Sequence, residues 1–160
     1  MTTRKDYLSV LDLDAASFEG CLNLAARLKR ERALGHRAPT SDVLNGRHIA
    51  LLFDKPSLRT RSTFEIGTRE LGGHLVVLQP DVALGRRESV RDVARNIERW
   101  VDAVVIRTFS QHLLEEFAET ATKLHVVNAL TDEEHPCQAM ADFLTMREHW
   151  GALAGRTLTY

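Results

Sequence analysis

The chain is poor in cysteine, has no long apolar run and carries no surplus of either charge, and each shortage removes a class of function. Its two cysteines, Cys21 and Cys137, stand far apart, and neither has a second cysteine or a histidine at zinc-finger spacing. A disulfide framework and a structural zinc site are therefore disfavoured, and two reduced thiols are expected. Lys and Arg total 21 against 22 Asp and Glu, a net charge of -1. Such a balance gives no global field to draw nucleic acid or an anionic membrane, so recognition of an anion has to be local. Nowhere do about 18 apolar residues run together as a membrane span requires, and "MTTRKDYLSVLDLD" lacks the apolar centre of a secretion signal. The expectation is a soluble, cytoplasmic protein with neither nucleic acid nor membrane as partner. The glycines and Lys-Ser/Thr pair of a P-loop are missing, and no G-x-G-x-x-G follows an apolar run, which disfavours dinucleotide binding. The histidines outside "EHPCQ" show no metal-ligand spacing, and neither metal nor cofactor is expected.

What is present is a regular alternation. With 160 residues and 44% hydrophobic content, the chain can bury one compact core. "SFEGCLNLAARLKRERALG" places Phe18, Cys21, Leu22, Ala25 and Leu28 at helical spacing, with Asp14 as a cap and Gly35 as a stop. Past the polar stretch "GHRAPTSDVLNGR" come four short β-rich runs, 48–53, 74–79, 102–109 and 125–130, separated by amphipathic segments. The runs are continuously apolar rather than alternating, the pattern of strands covered on both faces. The expected fold is a three-layer α/β sandwich, its mainly parallel sheet of about four strands flanked by helices. "HPCQAMADFLTMREHWG" adds a helix whose first turn suits Pro136 and whose apolar stripe runs through Cys137, Met140, Ala141, Leu144 and Met146. "ALAGRTLTY" then begins another strand-like run and stops; with no helix to cover it, the expectation is a chain cut short.

In open parallel sheets, ligands sit beyond the carboxyl ends of the strands, and the polar residues of this chain fall there. "DKPSLRTR" follows the first run, "QPDVALGRRES" with Arg86 and Arg87 the second, Arg107 ends the third, and "TDEEHPCQ" follows the fourth. Ser57 through Arg61 would open a helix, whose free N–H groups and dipole favour an anion by roughly 0.3–1 kcal/mol. Ser57 and Thr60 add hydroxyl donors, and Arg59 can fork onto two oxygens, each charged hydrogen bond contributing about 1.5–3 kcal/mol. The set reads as phosphate capture, although two arginines by themselves are often merely solvated or salt-bridged. Arg107 brings a charge out of a buried strand and needs a partner, either a structural ion or a ligand. His135 can donate to a carbonyl oxygen, and Gln138 offers a donor and an acceptor to an amide-like group, so the pair could grip a carbamoyl or carboxamide. Alternatively His135 only caps its helix. Nothing marks Cys137 as a low-pKa nucleophile, and a packing role is expected.

Taken in order, "SLRTRSTFE", "LGGH", "DVARNI", "IRTF", "VVNALTD" and above all "HPCQAMADFLT" resemble the amino-terminal half of the transcarbamylases, the ornithine carbamoyltransferases in particular, across nearly the whole chain. The resemblance implies a carbamoyl-phosphate-binding domain over 1–150 and, at 151–160, the start of a missing ornithine-binding domain. The implied reaction, in arginine biosynthesis, moves a carbamoyl group onto the δ-amine of L-ornithine and yields citrulline and phosphate. By the same resemblance Ser57, Leu58, Arg59 and Thr60 wrap the phosphate, Arg107 bridges phosphate and carbonyl oxygen, and His135, Pro136, Cys137 and Gln138 hold the carbamoyl end. Arg59, Arg107 and His135 are the implied catalytic groups, with no metal, and a homotrimer forms through this domain.

Two positions depart from the family pattern. Leu58 stands where Thr is usual, so only its backbone N–H can contribute. Ala83 stands where many ornithine enzymes place a glutamine or histidine that enters the neighbouring subunit's site. Arg86 or Arg87 is the candidate to reach the neighbour's phosphate instead, as a lysine does in the related aspartate enzymes. Because a second domain would read the acceptor, the resemblance implies that this chain binds carbamoyl phosphate, phosphate or sulfate but does not turn over. It also implies an apolar patch near the last helix that favours self-association. Two other readings stay open: a transcarbamylase for aspartate, putrescine or N-acetylornithine, and a non-catalytic anion-binding module.

Overall fold

The computed structural model describes residues 5–79 and 88–159. Among these, helix α1 spans Ala15–Glu31 and opens on Asp14, whose carboxylate accepts the Ser17 N–H at 2.7 Å. The helix tightens into a 3-10 segment, Arg32–Arg37, that breaks at the expected stop, Gly35, which takes φ 56° at little cost because it lacks a Cβ. Strands and helices then alternate: β1 (His48–Phe53), α2 (Arg59–Glu70), β2 (His74–Leu78), α3 (Val90–Ile97), β3 (Ala103–Arg107), α4 (Gln111–Thr120), β4 (His125–Leu130) and α5 (Pro136–Trp150). The four strands pair in the order β2-β1-β3-β4, every pair parallel, as the β-rich runs led one to expect.

Period-2 side-chain alternation along these strands divides the core into two layers. Ala50, Leu52, Val104, Ile106 and Val126 are completely or almost completely buried against α3 and α4, with Phe117 at the centre. Ile49, Leu51, Val105 and Ala129 occupy the opposite face with Phe64 of α2. Helix α5 packs on β4 and α1 packs on α5, where Phe18 and Phe143 meet edge to face at 5.2 Å. Cover on both faces is most complete for the central strands β1 and β3, while Val127 and Leu130 of β4 are only partly buried. Edge strand β2 is only partly covered, with Val77 51% exposed.

The outer edge of β4 is closed by the chain's own beginning. Tyr7 donates its N–H to Val126 and accepts from Asn128, both at 2.8 Å. Fully buried Asn128 then donates to Leu8 O at 2.8 Å and accepts the Leu130 N–H at 2.9 Å, so its amide is satisfied. The strand expected within "ALAGRTLTY" does not form: 152–159 is turn and irregular chain. An extended segment gains ladder bonds only where it lies beside another strand, and none of the four strands pairs with 152–159. Between α1 and α5 lies an open groove of about 940 Å³ of mixed character, lined by Leu11, Leu22, Val127, Met140 and Leu144 together with Lys5, Asp6, Asp12 and Asp14. No helix among the described residues is long and apolar enough to cross a membrane.

Candidate active site

The carboxyl ends of β1, β3 and β4 lie side by side, and the loops leaving them hold the polar residues singled out in the sequence. Helix α2 begins at Arg59, later than expected, with Leu58 as its N-cap residue. Among the described residues the other four α-helices each carry a side-chain cap, supplied by Asp14, Ser89, Ser110 and His135. Helix α2 has neither such a cap nor an acid in its first turn. Its first N–H groups are thus left for an external acceptor, and an anion there also meets the positive end of the helix dipole. The Leu58 side chain is 81% exposed, which leaves its backbone as the part that can serve the site.

Arg107 closes the other side of this helix end. Its Nη1 donates to Thr60 Oγ1 at 3.3 Å, while its Nε is buried with no hydrogen-bond partner. No carboxylate among the described residues pairs with Arg107, so the structural ion pair considered from sequence is not what the fold provides. A buried charged donor without an acceptor costs free energy that an incoming anion would return. Arg59 is exposed and without a side-chain partner among the described residues. Arg61 instead pairs with Glu65 at 2.8 Å, one turn along α2. The two arginines of "RTR" therefore differ in kind.

Backbone geometry also concentrates here. A register shift puts Arg107 opposite Leu130, skipping Ala129, and bends the end of β4. Leu130 takes φ 146°, a region side chains rarely visit, and such strain persists where surrounding packing enforces it. Thr131 then pins the turn, donating to Gln111 Oε1 at 2.9 Å and accepting the N–H groups of Glu133 and Glu134 at 3.3 Å. The chain arrives at His135 in a fixed direction.

His135 both caps α5 and keeps a donor for the site. Its Nδ1 accepts the Gln138 N–H at 3.4 Å, so in the neutral ring the proton sits on Nε2. Burial, and next the nearby Arg107 charge, hold the imidazole below its ordinary range, partly offset by Asp142. A neutral donor beside a guanidinium suits a carbonyl oxygen that gains negative charge. Gln138 directs its Nε2 to Asp142 at 2.9 Å rather than outward, and Pro136 is buried in the first turn. Cys137 donates Sγ–H to Asn128 O at 3.3 Å, and burial pushes its thiol up to about 12, which makes it a packing residue and no nucleophile. Ala83, Arg86 and Arg87 lie outside the described residues.

Sequence reasoning passed over three residues at this edge. Lys55, in "DKPS", forms an ion pair with Asp132 and stands 4.1 Å from the centre of the Phe109 ring. Their separation along the chain hides the cluster, and only the pattern of one charged or aromatic residue per site loop could have hinted at it. Among the described residues no group of three or more His, Cys, Asp or Glu could hold a metal ion. The arrangement is a helix N-terminus, an unpaired guanidinium, a hydroxyl and a neutral imidazole, a set of donors for a phosphate carrying an adjacent carbonyl.

That combination of sheet and anion-receiving edge has a match among known proteins. Residues 5–148 fit the family model "Aspartate/ornithine carbamoyltransferase, carbamoyl-P binding domain", and the chain belongs to this family. Within it, the similarity runs to the ornithine branch. The ornithine carbamoyltransferase of Methanocorpusculum labreanum is 44% identical over 158 residues, 98% of this chain and 50% of the relative. That of Thermus thermophilus is 47% identical over 156 residues, 97% of this chain and 50% of the relative. A crystal structure of ornithine carbamoyltransferase from Thermus thermophilus superposes with a TM-score of 0.86 at 44% identity, covering 96% of this chain and 52% of that one. The chain thus spans about half the length of the curated relatives it matches.

Proposed function

We propose that this chain is the carbamoyl-phosphate half of an ornithine carbamoyltransferase, with residues 1–150 as the binding domain and 151–160 leading toward a second, acceptor-binding domain. The observation that supports this most strongly is Arg107, lodged between Thr60 and His135 with a buried Nε that has no partner. The phosphate docks on the α2 N-terminus, held by Ser57 and Thr60, the backbone of Leu58 and the guanidinium of Arg59. Arg107 spans phosphate and carbonyl oxygen, and His135 Nε2–H donates to that oxygen. When the δ-amine of ornithine attacks the carbonyl carbon, the oxygen becomes anionic. Arg107, Thr60 and His135 stabilise that charge more than the ground-state carbonyl. Collapse of the intermediate re-forms the carbonyl, breaks the bond to the phosphate oxygen and releases phosphate into the α2 anion site; the departing phosphate takes the proton that the amine gives up, and citrulline remains. Positioning and charge stabilisation supply the catalysis.

In the same reading the whole protein is a cytoplasmic homotrimer of arginine biosynthesis, and Arg86 or Arg87 reaches a neighbouring subunit's phosphate in place of Ala83. Unchanged KM for carbamoyl phosphate in both Arg86→Ala and Arg87→Ala of the full enzyme would remove that last element. The core of the reading is tested by calorimetric titration of carbamoyl phosphate into wild type and Arg59→Ala. Binding by wild type, weakened at least about tenfold in the variant, is expected from the loss of one charged hydrogen bond. Equal affinities, or no heat from either, would refute it. The chain alone, given ornithine and carbamoyl phosphate, is expected to release no citrulline.

A further inference from the structure

We infer that Lys55 is a positioning residue, a latch that holds the three site loops in register; this rests on the carbamoyl-phosphate reading for its purpose but not for its geometry. Lys55 stands two positions before Ser57, Phe109 two after Arg107, and Asp132 three before His135. One ammonium therefore touches a residue from each loop that supplies the site. It pairs with Asp132 Oδ1 and lies 4.1 Å from the Phe109 ring centre. The Lys55 side chain is 17% exposed against 64% for Asp132, so the cation sits inside the cluster.

The backbone of the same loops is tied in sequence by Asp54 N–H to Arg107 O at 2.8 Å, Thr108 N–H to Leu130 O at 3.0 Å and Asp132 N–H to Phe109 O at 2.9 Å. These bonds fix neighbouring loops pairwise. Lys55 adds a side-chain tie from the first loop directly to the last. Because Asp132 neutralises it, its field at an incoming anion is largely cancelled, and its contribution is geometric: it sets the spacing between the α2 N-terminus and His135.

Amide hydrogen exchange and calorimetry on the 160-residue chain separate this from other roles. Lys55→Met and Asp132→Asn should each accelerate exchange at Asp54 and Asp132 and weaken carbamoyl phosphate binding about three- to tenfold, the size expected for one exposed ion pair and one cation–π contact. The double variant should be no worse than either single one, and Lys55→Arg, which keeps the charge, should restore both readouts. Unchanged exchange in Lys55→Met overturns the latch. Tighter binding in Asp132→Asn also overturns it, since a freed Lys55 would then be acting on the anion directly. If wild type binds no carbamoyl phosphate, the functional reading fails, while the exchange data still decide whether the latch exists.

Discussion

The two ends of one sheet differ in how completely their polar groups are satisfied. At the amino ends of the strands, Asp102 accepts the His48 N–H at 2.8 Å and an Arg47 N–H at 2.7 Å, and His125 Nδ1 contacts Lys5 O at 2.6 Å. Backbone and carboxylate close on each other there. At the carboxyl ends, Arg107 Nε is buried without an acceptor, α2 has no side-chain cap, and Leu130 is held at φ 146°. The same four strands thus end in two different ways. The amino end closes on itself, and the carboxyl end leaves the donors that the proposed function assigns to a ligand, the polarity that parallel sheets favour because helix N-termini follow the carboxyl ends of strands.

Arg107→Ala should break the contrast most visibly. Losing one or two charged hydrogen bonds of about 1.5–3 kcal/mol each is expected to lower carbamoyl phosphate affinity by about a hundredfold in calorimetry. Thermal melting should nevertheless hold or rise, because a buried unsatisfied donor has gone. Asp102→Asn is the counterpart at the amino end. It should lower the melting temperature by about 2–4 °C, as loss of roughly 1 kcal/mol does in a chain of this size, and leave the ligand affinity unchanged.

Acid titration sharpens the comparison by separating the two ends on the pH axis. His135 is held below its ordinary value of 6.5, so below that pH the unfolded chain binds a proton that the folded chain resists. Stability should fall on acidification through that window, and His135→Asn should flatten the slope there. Asp102 lies below its ordinary 3.8, chiefly through the His48 N–H and then Arg47. Its stabilisation is present above 3.8 and lost as pH falls through the lower folded value, so Asp102→Asn should melt below wild type above 3.8 and the gap should close only in the more acid limb of the melting profile. The smallest effect concerns thiol chemistry: at neutral pH iodoacetamide should label exposed Cys21 and spare Cys137, whose thiol burial pushes up to about 12, as mass spectrometry would read.

Most of the fold was legible because continuous apolar runs and 3.6-residue stripes are local signals. The four parallel strands, the Asp14 cap and the Pro136 helix all follow from neighbours a few residues apart. The site was legible in part. Arg59, Thr60, Arg107 and His135 announced themselves as polar residues at strand ends, but the uncapped state of α2 and the orphaned Nε of Arg107 depend on what does not come near them. The Lys55, Phe109 and Asp132 cluster and the Ala129 bulge join residues distant in sequence, where no periodicity operates. The strand expected in "ALAGRTLTY" rested on β-propensity, a local signal that does not bring a neighbouring strand alongside.

Side-by-side calorimetric titration of carbamoyl phosphate into wild type, Arg107→Ala and Asp102→Asn tests the asymmetry of the two sheet ends directly. The expected result is equal affinity for wild type and Asp102→Asn, with Arg107→Ala weakened by about a hundredfold as one or two lost charged hydrogen bonds require. Undiminished affinity in Arg107→Ala, or a comparable loss in Asp102→Asn, would contradict it.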